Sequence, residues 1–435
     1  MYNTYTLKNG LRVVTEKIEH LNSISIGVMV QNGSRNETPD VNGISHFIEH
    51  MFFKGTDKRT SKGIMEEIEN VGGQINAFTS KEATCYYIKA LNTHIDLSLD
   101  ILSDILLNAK FDPDEIEKEK GVVIEEINMS QDSPEDVLDD VHSKAAFGSN
   151  PLGNPILGTI DRIKSFNSKI IKDYVKKHYT PSNSVISICG KFDDKELKKL
   201  LEHYFGPWNK DEIFVPTYEK TELLNGTMYS NKQIEQLHIN LGLNGLPYAD
   251  DKAYSLVLLN NIFGGGASSV LFQKVREELG LCYSIYSYNQ PYLGVGSLNI
   301  YTGLSKQYAD KALEVIDREL KKFADQGISD EKLNINKEKL KSSYLLGLES
   351  TSSRMFANGK CLLLQNKIKT EEEVISRINK IDQNDINYVL EKCFKPGIIS
   401  TAYVGQDVDI DILNKIICPS DIAYNNRNYT DKARV

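Results

Sequence analysis

The chain has 435 residues, with 51 Lys and Arg against 60 Asp and Glu, and its formal net charge is -9. Its 40% hydrophobic and 26% charged residues are typical of a globular protein, which excludes collagen, a long coiled coil and a fully disordered chain. At about 100 to 200 residues per domain, the length predicts two or three domains. The excess of acid argues against nucleic acid as a partner, because phosphate binding depends on Lys and Arg.

The N-terminal sequence MYNTYTLKNGLRVV has no signal-peptide or transit-peptide pattern. No apolar run approaches the roughly 18 residues that a membrane span needs, so we expect a cytoplasmic protein with no membrane partner. The six cysteines lie far apart and form no CxxC pair. This spacing favours neither a thiolate zinc cluster nor a dense disulfide framework.

Strand and helix patterns follow one another in mixed order along the chain. Alternation of apolar and polar residues predicts strands, and a period near 3.6 residues predicts helices. The first predicted strands are Leu11–Glu16 and Ser23–Val30, and the first long helices are Ser61–Val71, Ile95–Leu107 and Asp114–Ser130. An order that is not regularly βαβ predicts an α+β fold, with helices packed on mostly antiparallel sheets.

Two pairs of segments suggest that the chain is internally duplicated. Ser23–Arg35 (SISIGVMVQNGSR) resembles Glu235–Pro247 (EQLHINLGLNGLP), and NSVISICGKFDDKELKKLL resembles ISTAYVGQDVDIDILNKI further along the chain. The stretch from Gly206 to Asn231 has turn residues and little periodicity, which indicates a boundary. We therefore predict two homologous domains, residues 1–215 and 231–425, joined by a linker at 216–230 and followed by a polar tail at 426–435.

The segment GISHFIEHMFFK contains His46, Glu49 and His50 in the spacing HxxEH. On a helix, residues four apart lie about 40° apart around the axis, so both imidazoles and the carboxylate share one face. Two histidines are typical ligands of a catalytic zinc ion, and Glu49 would then act as general base toward a water molecule. The alternative is that they are ordinary core or surface residues, but burying three unpaired polar groups is unfavourable.

A third ligand is expected from the helix that begins at Asp112-Pro113, an Asp cap followed by Pro. Glu119 and Glu126 are seven residues apart and lie beside its apolar stripe, whereas Glu125 faces the opposite, solvated side. One of the two would bind the metal and the other would orient a ligand. The spacing alone leaves both assignments open.

With HxxEH followed by these glutamates, nearly the whole chain resembles the pitrilysin/insulinase-type metallopeptidases of family M16. The resemblance implies that His46, His50 and Glu126 bind one Zn²⁺ per chain. It also implies that Glu49 is the base and that Glu119 supports the ligands from behind. The activity it implies is zinc-dependent hydrolysis of peptides or unfolded segments inside a closed chamber.

Two further segments match the family. In GGQINAFTSKEATCYY the resemblance assigns substrate binding to Asn76, Ala77 and Phe78, because an edge strand can pair with an extended peptide backbone. The alternative is an ordinary hairpin. In FGGGASSVLFQKVREELGLCYSIYSY no Lys-Ser/Thr pair follows the glycines, which excludes a P-loop. The resemblance instead assigns Arg276 and Tyr283 to substrate carbonyls and the developing oxyanion.

By alignment of the two halves, the second half has Val257, Asn260 and Asn261 in place of His46, Glu49 and His50. The second half therefore cannot build the zinc site. In the family, two such chains or one double-length chain enclose a chamber, and because this chain has only two domains, the resemblance implies a homodimer in which Arg276 and Tyr283 complete the site of the opposite chain. Two alternatives remain open at this point. One is a catalytically silent scaffold or peptide-binding subunit, and the other is a heteromer that needs a sister chain.

Overall fold

The computed structural model describes residues 2–208 and 216–417 and the backbone of 427–428. The strands, in chain order, are β1 Tyr2–Thr6, β2 Arg12–Lys17, β3 Ser23–Val30, β4 Gln74–Thr79, β5 Thr84–Leu91, β6 Ser184–Gly190, β7 Thr227–Asn231, β8 Gln236–Asn244, β9 Ser284–Pro291, β10 Gly296–Ser305, β11 Ser400–Gly405 and β12 Arg427–Asn428.

The helices alternate irregularly with these strands. In chain order they are α1 Ile44–Met51, α2 Ser61–Glu69, α3 Ile95–Asn108, α4 Pro113–Asp132, α5 Pro134–Phe147, α6 Ile160–Ser165, α7 Ser168–His178, α8 Asp194–Phe205, α9 Ala253–Phe263, α10 Ala309–Gln326, α11 Asp330–Gly347, α12 Thr351–Gln365, α13 Glu371–Asn379, α14 Gln383–Val389 and α15 Ile410–Ile417. Among the described helices, none combines the length and the apolar composition that crossing a membrane requires.

The chain forms two compact units, each made of three segments. Unit 1 comprises residues 1–127, 155–217 and 344–370, and unit 2 comprises residues 128–154, 218–343 and 371–435. The chain passes from one unit to the other within α4 and again within α11.

Each unit contains one mixed sheet, and the two sheets have matching strand orders. The order is β1-β2-β6-β3-β5-β4 in unit 1 and β12-β7-β11-β8-β10-β9 in unit 2. Most neighbours are antiparallel, while β2 pairs with β6, and β7 with β11 and β12, in parallel. The segments that resemble each other in sequence occupy the same places, since β3 and β8 are fourth and β6 and β11 are third. The predicted α+β fold of two homologous sheets with packed helices is confirmed.

One helix in each unit comes from the opposite half of the sequence. In unit 1, α12 packs Met355, Leu362 and Leu363 against Val14, Met29, Cys85, Val185 and Cys189 of the sheet. In unit 2, α5 packs Val137, Leu138 and Val141 against Tyr301, Ala402 and Val404. We call α5 and α12 the exchanged helices.

The approach of α12 to its sheet is so close at two glycines that a larger residue at either would displace a methionine side chain. A Cβ added at Gly27 of β3 would lie 2.3 Å from Met355 Sδ, and one at Gly359 of α12 would lie 2.6 Å from Met29 Sδ. Hydrogen bonds from Ser187 Oγ to Met355 O, 2.7 Å, and between Ser25 Oγ and Thr351 Oγ1, 2.8 Å, tie the same surfaces together. This contact places a late segment of the chain in the core of unit 1.

The domains predicted from the sequence were continuous segments of the chain, whereas each unit includes one helix from the other half. The passage between units at residues 217 and 218 lies within the predicted linker, but α5 and α12 each belong to the unit of the other half. The hydrophobic pattern of a helix shows that one face is buried and does not show which sheet covers it. The predicted polar tail at 426–435 falls outside the described residues, apart from the backbone of Arg427–Asn428.

Candidate metal centre

The helix α1, which carries HxxEH, begins at a tight backbone turn. Gly43 precedes it with φ 94°, and a Cβ there would lie 2.7 Å from Leu157 O, so both conformation and space require glycine. Its first amides are satisfied by the buried carboxylate of Glu37, which accepts hydrogen bonds from the N–H groups of Gly43 and Ser45, each at 2.8 Å. Glu37 therefore caps the helix from outside it, in the place of an N-cap side chain.

The apolar face of α1 fixes the direction of its polar face. Phe47, Ile48 and Met51 are at most 1% exposed and belong to the main core of unit 1. A polar network holds the start of the helix, since Asn32 donates to Ser45 Oγ at 3.1 Å and accepts from the Tyr174 hydroxyl at 2.9 Å. Because the helix is held on both sides, its histidines are presented in one orientation.

Three candidate ligands meet at this face. His46 Nε2 lies 3.6 Å from Glu126 Oε2, and His50 Nε2 lies 3.4 Å from the same oxygen. One donor atom from each of the three side chains lies within 4.8 Å of the others. The helix α4 supplies Glu126 because its stripe of Ile116, Val123 and Ile127 is buried.

The three donor atoms fit a zinc ion. Zinc bonds of about 2.0 to 2.2 Å in tetrahedral geometry separate neighbouring ligand atoms by about 3.3 to 3.6 Å, which matches the 3.4 and 3.6 Å distances to Glu126. Two imidazoles and one carboxylate are also a frequent donor set for catalytic zinc, and three protein ligands leave a fourth position open. His46, His50 and Glu126 are therefore the residues that would hold the ion.

Glu119 lies behind the ligands rather than among them. Its Oε1 is 2.8 Å from His50 Nδ1, and its Oε2 is 2.5 Å from Lys54 Nζ. The carboxylate thereby holds the His50 ring with Nε2 facing Glu126, as carboxylates behind zinc-bound histidines do. The two glutamates therefore differ in geometry, since Glu119 contacts Nδ1 of His50 and Glu126 lies near Nε2, and the supporting role of Glu119 stays a prediction.

The surroundings of the two histidines act on them in opposite directions. Burial, followed by the nearby His50, lowers the pKa of His46 to about 4, so its imidazole stays neutral, which is the form that binds metal. Burial also acts to lower the pKa of His50, but hydrogen bonds to Glu119 and Glu126 outweigh it and raise that pKa to about 9. Because zinc binds a neutral imidazole, binding at His50 would favour release of a proton.

Glu49 lies beside the ligands and is held by the hairpin of β4 and β5. The pKa of its carboxyl is raised by burial, while the Thr79 hydroxyl and His50 act to lower it. Thr79 Oγ1 donates a hydrogen bond to Glu49 Oε2. A half-buried carboxyl with a raised pKa next to a metal site is suited to accept a proton from water and release it later.

The strand β4 carries the predicted peptide-binding residues Asn76, Ala77 and Phe78. Among the described strands it pairs with β5 alone and so forms one edge of the sheet. Asn76 and Phe78 are exposed, and the Asn76 side-chain oxygen accepts a hydrogen bond from the Ala77 N–H at 2.8 Å. These residues are placed for strand addition, and their role in binding stays a prediction.

Arg276 and Tyr283 lie together in unit 2. Arg276 belongs to a π-helical turn, Phe272–Glu277, and its guanidinium sits 4.6 Å from the Phe272 ring centre and 5.1 Å from that of Tyr283. The Tyr283 side chain is 75% exposed. Cation–π contact thus pairs the two residues, and their part in a site stays a prediction.

Three residues that support the site were not predicted from the sequence. Glu37, Lys54 and Thr79 contact the N-terminus of α1, Glu119 and Glu49 respectively. Lys54 lies four residues after His50, a helical spacing that could have drawn attention to it. The contacts of Glu37 and Thr79 depend on loop and hairpin geometry, for which the sequence has no local pattern.

Comparison with known proteins gives consistent matches along the chain. Residues 12–160 match the family described as Insulinase (Peptidase family M16), and residues 165–340 match the Peptidase M16 inactive domain. A Bacillus subtilis protein named uncharacterized zinc protease YmxG is 42% identical over 394 residues, 91% of this chain and 96% of that one. A Rickettsia bellii protein named uncharacterized zinc protease is 34% identical, covering 93% of this chain and 98% of that one.

The fold has close counterparts among solved structures. A protease from Helicobacter pylori superposes with a TM-score of 0.86 at 24% identity, covering 93% of this chain and 99% of that one. A structure from Pseudomonas fluorescens described as a peptidase M16 inactive domain also gives 0.86, at 17% identity, covering 94% and 98%. Together with the family match and the relatives, these results show that the chain belongs to peptidase family M16.

Proposed function

We propose that this protein is a zinc-dependent endopeptidase. The observation that carries the proposal is that donor atoms of His46, His50 and Glu126 lie within 4.8 Å of one another, with Glu49 on the same helix as the two histidines. Support also comes from relatives that are named zinc proteases and align over nine tenths of the chain.

In this proposal each residue has a separate task. Zinc bound to the three ligands would acidify a coordinated water and polarise the scissile carbonyl. Glu49 takes a proton from the attacking water and delivers it to the nitrogen of the leaving amine. Glu119 keeps the His50 ring oriented, and its charge is shared with Lys54.

The edge strand β4 supports a class of substrate. A peptide that extends along β4 gains main-chain hydrogen bonds whatever its sequence, so extended or unfolded segments are favoured over folded proteins. Asn76, Ala77 and Phe78 are the proposed contacts. A chamber closed around the site would strengthen this preference by excluding folded proteins.

Cleavage of a quenched fluorescent peptide mixture tests the proposal. Wild type should cut, a chelator should stop it, and zinc should restore it. Glu49→Gln should bind zinc at the wild-type level and lose about 100- to 10,000-fold in kcat, the usual contribution of a general base. A protein that binds zinc and cuts nothing would instead favour a scaffold or partner-dependent subunit, and a protein that binds no zinc would contradict the proposal.

We also propose a homodimer in which Arg276 and Tyr283 of one chain complete the site of the other. Arg276 and Tyr283 lie in the unit whose aligned helix has Val257, Asn260 and Asn261 in place of metal ligands, so that unit has no such site for them to complete. Mixing Glu49→Gln chains with Arg276→Ala chains tests it, because a mixed dimer would contain one intact site. Recovery of about a quarter of wild-type activity is expected from random pairing, and no recovery would contradict shared sites.

A further inference from the structure

The proposed base is held by the strand that the peptide is proposed to join. Thr79 is the last residue of β4, and its hydroxyl donates to Glu49 Oε2. Within the described residues this is the hydrogen bond that the Glu49 carboxylate makes, and it leaves Oε1 to receive a proton from water. A single hydroxyl therefore links the carboxylate to the edge strand.

The direction of this hydrogen bond follows from its acceptor, the Glu49 carboxylate. Thr84 faces Thr79 across the hairpin with its Oγ1 3.4 Å away, and Thr84 Oγ1 donates its own proton to Asn32 O at 2.8 Å. A hydroxyl has one proton, and an ionised carboxylate only accepts. Thr84 Oγ1 can then only accept from Thr79, over a longer distance, whereas the ionised Glu49 carboxylate cannot donate, so Thr79 is the donor in its shorter bond to Glu49. This bond is strongest when Glu49 is ionised and ready to act as base.

Unit 2 contains a similar hydrogen bond, and among its described residues no cluster of metal-ligand side chains lies beside it. Asn260, which aligns with Glu49, accepts from Ser287 Oγ at 2.6 Å, and Ser287 lies on the edge strand β9. Both side chains are buried, at 7% and 4% exposure. The shared feature is a strand hydroxyl bonded to a helix side chain, and only in unit 1 is the acceptor a carboxylate next to histidines.

We infer that Thr79 is a positioning residue for the reaction, an inference that rests on the proposed function. Its hydroxyl selects one orientation of the Glu49 carboxylate and fixes the base relative to β4. Because the peptide would lie along β4, the bond also fixes the distance between base and scissile carbonyl. Loss of this constraint lowers the rate of the chemical step and leaves peptide binding unchanged, since misplacement by about 1 Å can cost about 100-fold.

Three variants isolate the hydroxyl. Thr79→Val keeps the shape of the side chain and removes the donor, Thr79→Ser keeps the donor, and Ser287→Ala removes the corresponding hydroxyl in unit 2. We expect Thr79→Val to lower kcat about 10- to 100-fold with KM and bound zinc unchanged. Thr79→Ser should retain kcat within about threefold, and Ser287→Ala should match wild type in kcat once its folding is verified.

A second measurement separates positioning from peptide binding. In a Glu49→Gln background, which binds peptide without cutting, Thr79→Val should leave the dissociation constant of a fluorescent peptide unchanged. If Thr79→Val does not fold, Thr79→Ala removes the same donor with less bulk and serves in its place.

The outcomes distinguish this inference from the function on which it rests. Wild type that cuts no peptide would overturn the proposed function and the inference with it. Active wild type with an unchanged kcat in Thr79→Val would overturn the inference alone. A rise in KM, a loss of zinc, or an equal fall in kcat for Ser287→Ala would also overturn it, because each would show a structural role.

Discussion

The two units share a sheet order and differ at one helix. In unit 1, helix α1 follows strand β3 and packs beside the edge strand β4. In unit 2, helix α9 follows strand β8 and packs beside the edge strand β9. Helix α1 presents His46, Glu49 and His50, whereas α9 has Val257, Asn260 and Asn261 at the aligned positions. The fold is therefore compatible with a metal site and does not require one, since the chemistry depends on a few side chains.

Each unit also depends on a helix that the other half of the sequence supplies. Each sheet is covered by an exchanged helix, α12 in unit 1 and α5 in unit 2. The first half of the chain alone would lack α12, which covers its sheet, and would carry α5, whose sheet is in the other half. The second half alone would lack α5 and carry α12. We therefore expect the halves to fold as parts of one chain, although each unit has its own core.

Residues 1–217 expressed alone should not fold cooperatively, because α12 is missing from unit 1. Val14, Met29, Cys85, Val185 and Cys189 would lose their cover by α12 and expose a large apolar face. We expect no cooperative unfolding transition by circular dichroism and strong binding of a hydrophobic dye. Adding the segment 344–370 to the same chain should restore cooperative unfolding, and a half that unfolds cooperatively without it would contradict the exchange.

The next largest effect concerns the support behind the ligands. Glu119→Gln removes the charge that holds His50 and Lys54, and we expect zinc affinity to fall about 10- to 100-fold. Glu125→Gln is the matched control, because Glu125 lies on the exposed side of the same helix. Competition with a chromogenic chelator measures the zinc affinity of each variant. Equal affinities for the two variants would show that Glu119 does not support the site.

Acid should weaken both units through buried histidines, of which His142 and His178 lie away from the metal ligands. Burial lowers the pKa of His142 in unit 2 to about 4, and burial with Lys177 lowers the pKa of His178 in unit 1 to about 4. Since these values are below the unfolded value of about 6.5, the unfolded chain binds more protons between the two, and stability falls as the pH falls through that window.

For His142 alone the loss between pH 7 and pH 5 is about 2 kcal/mol. Chemical denaturation at these two pH values, on wild type and His142→Gln, measures it. The variant should lose less stability than wild type on acidification, because its side chain does not titrate. The same pH dependence in both proteins would contradict a neutral, buried His142.

The sequence predicted the parts of the fold and site that depend on local periodicity. The HxxEH spacing placed three polar groups on one helix face, and the stripe of α4 placed Glu119 and Glu126 on its buried side. It left those two glutamates equivalent, because only tertiary packing brings Glu119 to His50 Nδ1 and Glu126 to His50 Nε2. The exchange of α5 and α12 was missed for the same reason, since the apolar face of a helix does not show which sheet it packs against.

The capping of α1 by Glu37 and the bond from Thr79 to Glu49 also depend on tertiary structure. Glu37 reaches the helix through a loop, and Thr79 reaches it across the end of a hairpin. Neither lies at a helical spacing from the residue it contacts. Contacts of this kind appear only once the backbone is known.

Zinc stoichiometry is the most direct test of the central claim that unit 1 binds the metal and unit 2 does not. Elemental analysis should compare wild type with His50→Ala and with Asn261→Ala, the aligned position in unit 2. We predict one zinc ion per chain in wild type and in Asn261→Ala, and none in His50→Ala. A wild type without zinc, or a His50→Ala protein that retains it, would contradict the account.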